Sequence, residues 1–151
     1  MLIIYRCLSG GFLAPVAAAI HLGLLTEEPP PAWAVTDLPF FQQLSRWDGG
    51  FVFHCGRDTA GHEICLMGYH GNHRLILQSL QGALAGIDGQ MERLLLINSA
   101  HRRDIIREWA VYLCQCLSWH KTAKRLAITG ALKRYPELVG LVRSIRGGIV
   151  P

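Results

Sequence analysis

The sequence predicts a single layered α/β domain spanning residues 1–151, a mostly parallel sheet flanked by helices and carrying one β-hairpin. Three observations predict it. Short runs rich in β-formers alternate with longer stretches of helical spacing, the order expected when helices cover a sheet. One run, Leu94-Leu95-Leu96-Ile97, is wholly apolar, as a parallel strand covered on both faces would be. The 151 residues are 50% apolar and only 17% charged, which excludes an acidic or low-complexity disordered chain. One domain of this length buries roughly 68–70% of its unfolded surface.

The elements follow in order. Leu2 to Arg6 reads as a buried strand bounded by Ser9-Gly10-Gly11. Pro15 suits the first turn of a helix and Gly23 its end, and the small residues Val16-Ala17-Ala18-Ala19-Ile20 let that helix lie close on a sheet. Glu27-Glu28-Pro29-Pro30-Pro31 is a stiff connector, followed by a short helical excursion from Trp33 to Leu44 broken near Pro39. Phe51-Val52-Phe53 and Ile64-Cys65-Leu66-Met67 flank the turn signal Asp58-Thr59-Ala60-Gly61, a hairpin. Asn72 caps a helix carrying Ile76, Leu80, Ala83, Leu84 and Ile87, which Gly86 and Gly89 stop. After the strand at Leu94, a helix places Ile106, Trp109, Ala110, Leu113 and Leu117 on one stripe, expected to face the core. Leu126-Ala127-Ile128-Thr129 reads as a last strand with Gly130 as its turn. A final helix carries Leu132, Tyr135, Leu138, Val139, Val142 and Ile145 inward.

Charge is uneven. Residues 1–75 hold four Arg against six acids, whereas residues 76–151 hold 11 basic groups against five. A half this basic attracts phosphate-bearing partners in general, but no run of five or six like charges exists, and solvated helix faces are the default reading. The five Cys have no disulfide-framework spacing, so free thiols are expected. Phe12 to Leu25 is too short to span a bilayer and follows no basic start, so no membrane association and a cytoplasmic location are expected.

Ligands of open α/β sheets gather at the carboxyl ends of strands. Here those ends offer Arg6, Cys7, Ser9, Gly10 and Gly11, then Tyr69 to His73, then Asn98, Ser99 and His101, then Thr129. The first is the candidate anion loop: a glycine-rich turn into a helix aims backbone N–H groups and about half a positive charge at an anion. Arg6 would add charge. The loop has neither a Walker ending nor dinucleotide-fold spacing, and Leu13 stands where a Cys-x5-Arg cradle would need Arg. Asn98, Ser99, His101 and Thr129 are accessory candidates; His101 beside Arg102 and Arg103 is a conceivable general acid or base. His54, Cys55, His62, Cys65, His70 and His73 crowd twenty residues and include zinc-ligand types, but lack a paired-ligand spacing. His54 is expected to face Cys65 across the hairpin, with Cys55 on the other face. Cys114 and Cys116 point apart on their helix. Neither metal nor cofactor is expected.

Tyr5-Arg6-Cys7-Leu8-Ser9-Gly10-Gly11 followed by Ala17-Ala18-Ala19-Ile20-His21-Leu22-Gly23 resembles an uncharacterised domain-of-unknown-function family of mostly spore-forming Firmicutes. Its members begin with a strand, then Tyr-His-Cys-Tyr-Gly-Gly-x-His-Ser-Ser, then Ala-Ala-Ala-Ile-His-Leu-Gly. Leu38-Pro39-Phe40-Phe41, the hairpin about Asp58 to Gly61 and Leu94 to Asn98 extend the likeness over most of the chain. The resemblance implies a fold and names no activity. This chain keeps Cys7 and Gly10 but has Arg6, Leu8 and Ser9, and it carries Phe12-Leu13-Ala14 where the family has His-Ser-Ser. That departure implies a member that has lost the family's activity or changed its ligand.

Three functions stand at this point. The favoured one is a non-catalytic member whose first strand-to-helix loop binds a small anionic ligand or a protein partner, such as an intact homologue, with Phe12 and Leu13 as an apolar contact if exposed. The second is an enzyme acting on a phosphorylated or nucleotide substrate through Cys7, Arg6 and His101. The third, nucleic-acid binding, needs Arg102, Arg103, Lys121, Lys124, Arg125, Lys133 and Arg134 on one face. No nucleic-acid motif supports it, so a nucleic-acid partner is not expected.

Overall fold

The computed structural model describes residues 1–8, 12–41, 52–69, 75, 78–80, 82, 94–100 and 102–149. Its elements are β1 (Leu2–Leu8), α1 (Leu13–His21), α2 (Ala32–Thr36), β2 (Val52–Arg57), β3 (Glu63–Tyr69), β4 (Leu94–Asn98), α3 (Arg102–Cys116) and α4 (His120–Ile149). The four strands lie in the order β2-β3-β1-β4. β1 runs parallel to both β3 and β4, and β2 closes the sheet antiparallel to β3. This is an α/β fold with a mostly parallel sheet flanked by helices and one hairpin.

β1 is central, and its alternation divides the interior. Ile3, Tyr5 and Cys7 face the main core, which α1 and the inner stripe of α4 complete. Ile4 faces a smaller cluster with Cys65 and Met67, lined by Leu2, Leu80, Leu94 and Leu96. All nine residues of α1 are buried, so its short side chains let the backbone lie on the sheet while α4 crosses behind. Gly23 ends α1 as expected: at φ +74° it occupies the left-handed region. Leu24 N–H donates to Ala19 O and Gly23 N–H to Ile20 O, a Schellman closure.

Four expectations change. Leu126-Ala127-Ile128-Thr129 is not a strand but the interior of α4, a helix of 30 residues. A short apolar run reads equally as strand or buried helix, and the buried Ala123, Ala127, Ala131 and Tyr135 repeat every four residues, on one helical face. Gly130 is therefore no turn. A Cβ there would lie 2.5 Å from the Phe12 ring and 2.8 Å from Arg107 Cδ, so its missing side chain permits the approach of three elements. β4 is an edge strand rather than a central one, and Leu94, Leu95 and Leu96 are only half-buried. The α3 stripe turns outward: Ile106, Leu113 and Leu117 are more than half exposed and Trp109 nearly so. The inward face instead carries Asp104, Glu108 and Val111, because Arg134 of α4 draws Asp104 in at 2.9 Å. Phe12 and Leu13 are buried in the main core, which removes them as an exposed contact. The helix expected after Asn72 lies largely outside the described residues.

α3 and α4 meet at a sharp corner. Ser118 takes φ +61° while Trp119 N–H donates to Cys114 O and Ser118 N–H to Gln115 O. A residue with a Cβ is strained there.

Two outcomes follow from this packing. Gly130→Ala lowers stability by about 1–3 kcal/mol through overpacking, and adding Phe12→Leu recovers part of the loss in urea unfolding. Ser118→Gly raises stability by about 1 kcal/mol, read as a melting-temperature gain of about 2–4 °C.

Candidate functional site

The carboxyl end of β1 is where the sequence placed its candidate ligand loop, and the sheet sorts those residues by face. Arg6 pairs with Asn98 in register. By alternation Arg6 lies on the Ile4 side of the sheet, opposite Tyr5, Cys7 and α1. Cys7 is fully buried on the α1 side. One step beyond the register, Ser99 N–H donates to Arg6 O at 3.1 Å, and Ser99 continues the alternation of Leu95 and Ile97 onto that α1 side. Arg6 and Cys7 thus do not converge. Ser9, Gly10, Gly11 and His101 lie outside the described residues. Thr129 sits mid-helix in α4, exposed, its hydroxyl donating to Arg125 O at 2.8 Å.

Three features lie on the α1 side. Ser99 is 6% exposed, and its hydroxyl has no hydrogen-bond partner among the described residues. The α1 N-terminus has no side-chain cap, since Phe12 occupies the cap position. Pro15 removes one donor from the first turn, whose remaining amides, as in any helix, have no intrahelical partner. The third feature is Arg107 of α3, whose Cδ packs into the space in front of Gly130 that the Phe12 ring also borders. The stem of a cation therefore runs beside the cap residue of α1. Arg107 was absent from the sequence-based candidates because nothing local joins α3 to the first helix.

The His- and Cys-rich hairpin has another role. His54 does face Cys65, but its ring pairs with Glu63, which also takes Arg57 Nε at 2.8 Å. Cys55 packs against the main core and Cys65 in the small cluster, on opposite faces. Burial pushes the Cys55 thiol up to about 12 and the Cys65 thiol up to about 11, so neither is a ready thiolate. His70 and His73 lie outside the described residues. Among the described residues no three His, Cys, Asp or Glu side chains are placed to hold a metal ion. Cys114 packs against the core and Cys116 is exposed.

A buried polar chain escaped the sequence reading. Asp58 organises the hairpin turn: its Oδ1 accepts the N–H groups of Ala60 and His62, and its Oδ2 accepts His62 Nδ1 at 2.9 Å. The same Oδ2 accepts His21 Nε2 at 3.1 Å. That bond puts the His21 proton on Nε2, so Nδ1 accepts the Tyr5 hydroxyl at 2.6 Å. Tyr5 and His21 are 0% and 1% exposed, so the chain ends in the core and holds the hairpin to α1 and β1. The signal available in the sequence was a histidine within an apolar helix, which requires partners.

Burial lowers the His21 pKa, helped by nearby Arg146 and opposed by the bond to Asp58. Burial alone would raise Asp58, but hydrogen bonds from His62 and His21 outweigh it and hold the carboxyl at about 2. Arg146 also donates to the Ile20 and His21 carbonyls, clipping the end of α4 to the end of α1.

Among the described residues the exposed cations do not share one face, and the side chains of Arg102 and Arg103 lie outside the description. Lys121, Lys124 and Arg125 share a face of α4, Lys133 lies about 120° round from Lys121 at 100° per residue, and Arg134 is engaged by Asp104 and Glu137. Among the described residues, no helix is long and apolar enough to cross a membrane.

The described residues define an α/β domain with a mostly parallel sheet, a buried helix N-terminus without a side-chain cap, and a buried Ser99 hydroxyl with no partner among them at the end of β4. The chain belongs to the family DUF3189, described as a protein of unknown function, whose profile matches residues 2–147. No curated protein and no solved structure matches it.

Because the folded-state pKa of His21 lies below its ordinary 6.5, the unfolded chain takes up the extra proton as pH falls below that value. The stabilisation is complete above about pH 6.5 and declines on acidification. Asp58 adds a second loss between its ordinary 3.8 and about 2, in the same direction. The urea midpoint is expected to fall between pH 7.5 and 5.5, and His21→Gln flattens that dependence while lowering stability at pH 7.5.

Proposed function

We propose that this protein is a non-catalytic, divergent member of its family that binds a small phosphate-bearing anion at the carboxyl end of β1 and β4, on the α1 side. The observation that carries the reading is Ser99: its buried hydroxyl has no partner among the described residues, an arrangement that costs about 1–3 kcal/mol unless something bonds it, and it stands at the end of the sheet where α/β ligands collect. The uncapped first turn of α1 supplies amides and partial positive charge, and Arg107 supplies a full charge. Arg6, on the opposite face, is not part of this set.

Non-catalytic fits the same residues. Cys7 is sealed in the core, and Arg6 and Cys7 point to opposite faces, so the pairing that an enzyme of phosphorylated substrates would use is split. Phe12-Leu13-Ala14, where the resembling sequences carry His-Ser-Ser, are core residues here; Phe12 fills the space against Gly130. A changed ligand in place of a lost reaction accounts for that exchange. The reading takes the protein as a cytoplasmic one of the spore-forming lineage that the motif resemblance implies.

The test is a thermal-shift panel of inorganic phosphate, nucleotides and sugar phosphates on the wild type, Ser99→Ala, Arg107→Gln and Arg6→Ala. A ligand at a hundred times its dissociation constant stabilises by about 2.7 kcal/mol. The expected result is a shift lost in Ser99→Ala and Arg107→Gln and retained in Arg6→Ala. A flat panel from folded protein, or a shift that survives both substitutions, rejects the site.

A further inference from the structure

Every described side chain of α3 that is exposed is apolar or a cysteine: Ile106, Trp109, Leu113 and Cys116, with Leu117 just past the helix end. The first four repeat at spacings of three, four and three, the a/d rhythm by which one helix receives another. At 100° per residue the five fall within about 100° of helix surface. The two carboxylates of α3, Asp104 and Glu108, are both buried on the opposite side. The stripe therefore has an apolar seam and no acidic side chain among its exposed positions.

Charge determines what fits it. Past the corner at Ser118 the first turns of α4 expose Lys121, Lys124 and Arg125 at one end of the seam, next to Trp119 at 60% exposure. A second copy of this chain meeting seam to seam would bring its own Lys121, Lys124 and Arg125, and among the described residues its seam holds no acidic side chain to meet them. An anionic bilayer favours cations along the flanks of a broad apolar face; here the exposed cations among the described side chains cluster beyond one end, and the Trp109 ring stands edge-on to Tyr112 at 5.8 Å as a wall of the seam. We infer that the outer face of α3 is a docking surface for an amphipathic helix of another protein, with apolar residues in the same rhythm and carboxylates at the end that meets Lys121, Lys124 and Arg125.

The probes are two synthetic helical peptides of about 20 residues, long enough to lie along the whole seam, with identical apolar a/d positions, one flanked by Glu and the other by Lys. Each is titrated into the full chain with tryptophan fluorescence as the readout. The expected result is binding of the acidic peptide at least ten-fold tighter than the basic one. Ile106→Ser with Leu113→Ser weakens it at least ten-fold, with unchanged circular dichroism because those side chains already face water. Lys121→Glu, Lys124→Glu and Arg125→Glu together reverse the preference between the peptides. Equal or absent binding of the two peptides overturns the inference. So does sedimentation showing a dimer that Leu113→Ser dissolves, which makes the seam a self-contact. Binding to phosphatidylserine vesicles by a protein that ignores both peptides overturns it in favour of a membrane surface.

Discussion

Helix α1 has no face toward water, and most of the architecture answers to that constraint. It lies between the sheet and α4 with all nine residues buried. Polar groups so placed must be satisfied from within, since an unpaired buried donor or acceptor costs on the order of 1–3 kcal/mol. The C-terminal carbonyls are met by the Gly23 closure and by Arg146 reaching from α4. The one polar side chain, His21, is met from β1 by Tyr5 and from the hairpin by Asp58. These few bonds tie residues 5, 21, 58 and 146 into one unit, so the hairpin turn and the end of α4 are positioned by the needs of a helix neither touches in sequence. The N-terminus of α1 differs in having no side-chain cap, and it follows the carboxyl end of β1.

The exception is informative because the rest of the helix is so completely satisfied. A protein that provides a Tyr, an Asp and an Arg for one end leaves the other with Phe12 at its cap position, and at the end of β4 the buried Ser99 hydroxyl has no partner among the described residues. Local deviations of this kind concentrate at functional positions. Phe12 also serves the core, since its ring fits against a glycine of α4. Substitution at Phe12 is therefore coupled to the packing of α4.

Helix α3 shows the complementary arrangement. Its carboxylates go inward, where Arg134 meets Asp104, and its apolar stripe goes outward. Hydrophobic spacing identifies a stripe but does not say what the stripe packs against. Here the charge pairing with α4 and the packing of Val111 and Cys114 set the rotation of the helix, leaving the seam for a surface outside the domain.

Much of the fold was legible in the sequence, and for local reasons. Strand β1, the small-residue helix ending at Gly23, the hairpin about Asp58 to Gly61 and the inward stripe of the last helix all rest on side-chain period and turn chemistry, which adjacent residues determine. Of the candidate site, Cys7, Asn98 and Ser99 stood out because they follow strands, and alternation along β1 separates Arg6 from Cys7 once the core faces are assigned. Other features depended on residues far apart in the chain. The Leu126–Thr129 run is helical because its neighbours repeat every four residues on the face turned to α1 and the main core, a preference that four apolar residues cannot express alone. Arg107 reaches Phe12 only because Gly130 admits both, and His21 finds Asp58 only through the parallel alignment of β1 with β3. Periodicity determined which residues would be buried together within each element; the tertiary structure alone decided which elements they met, because that choice is made by contacts no stretch of sequence contains.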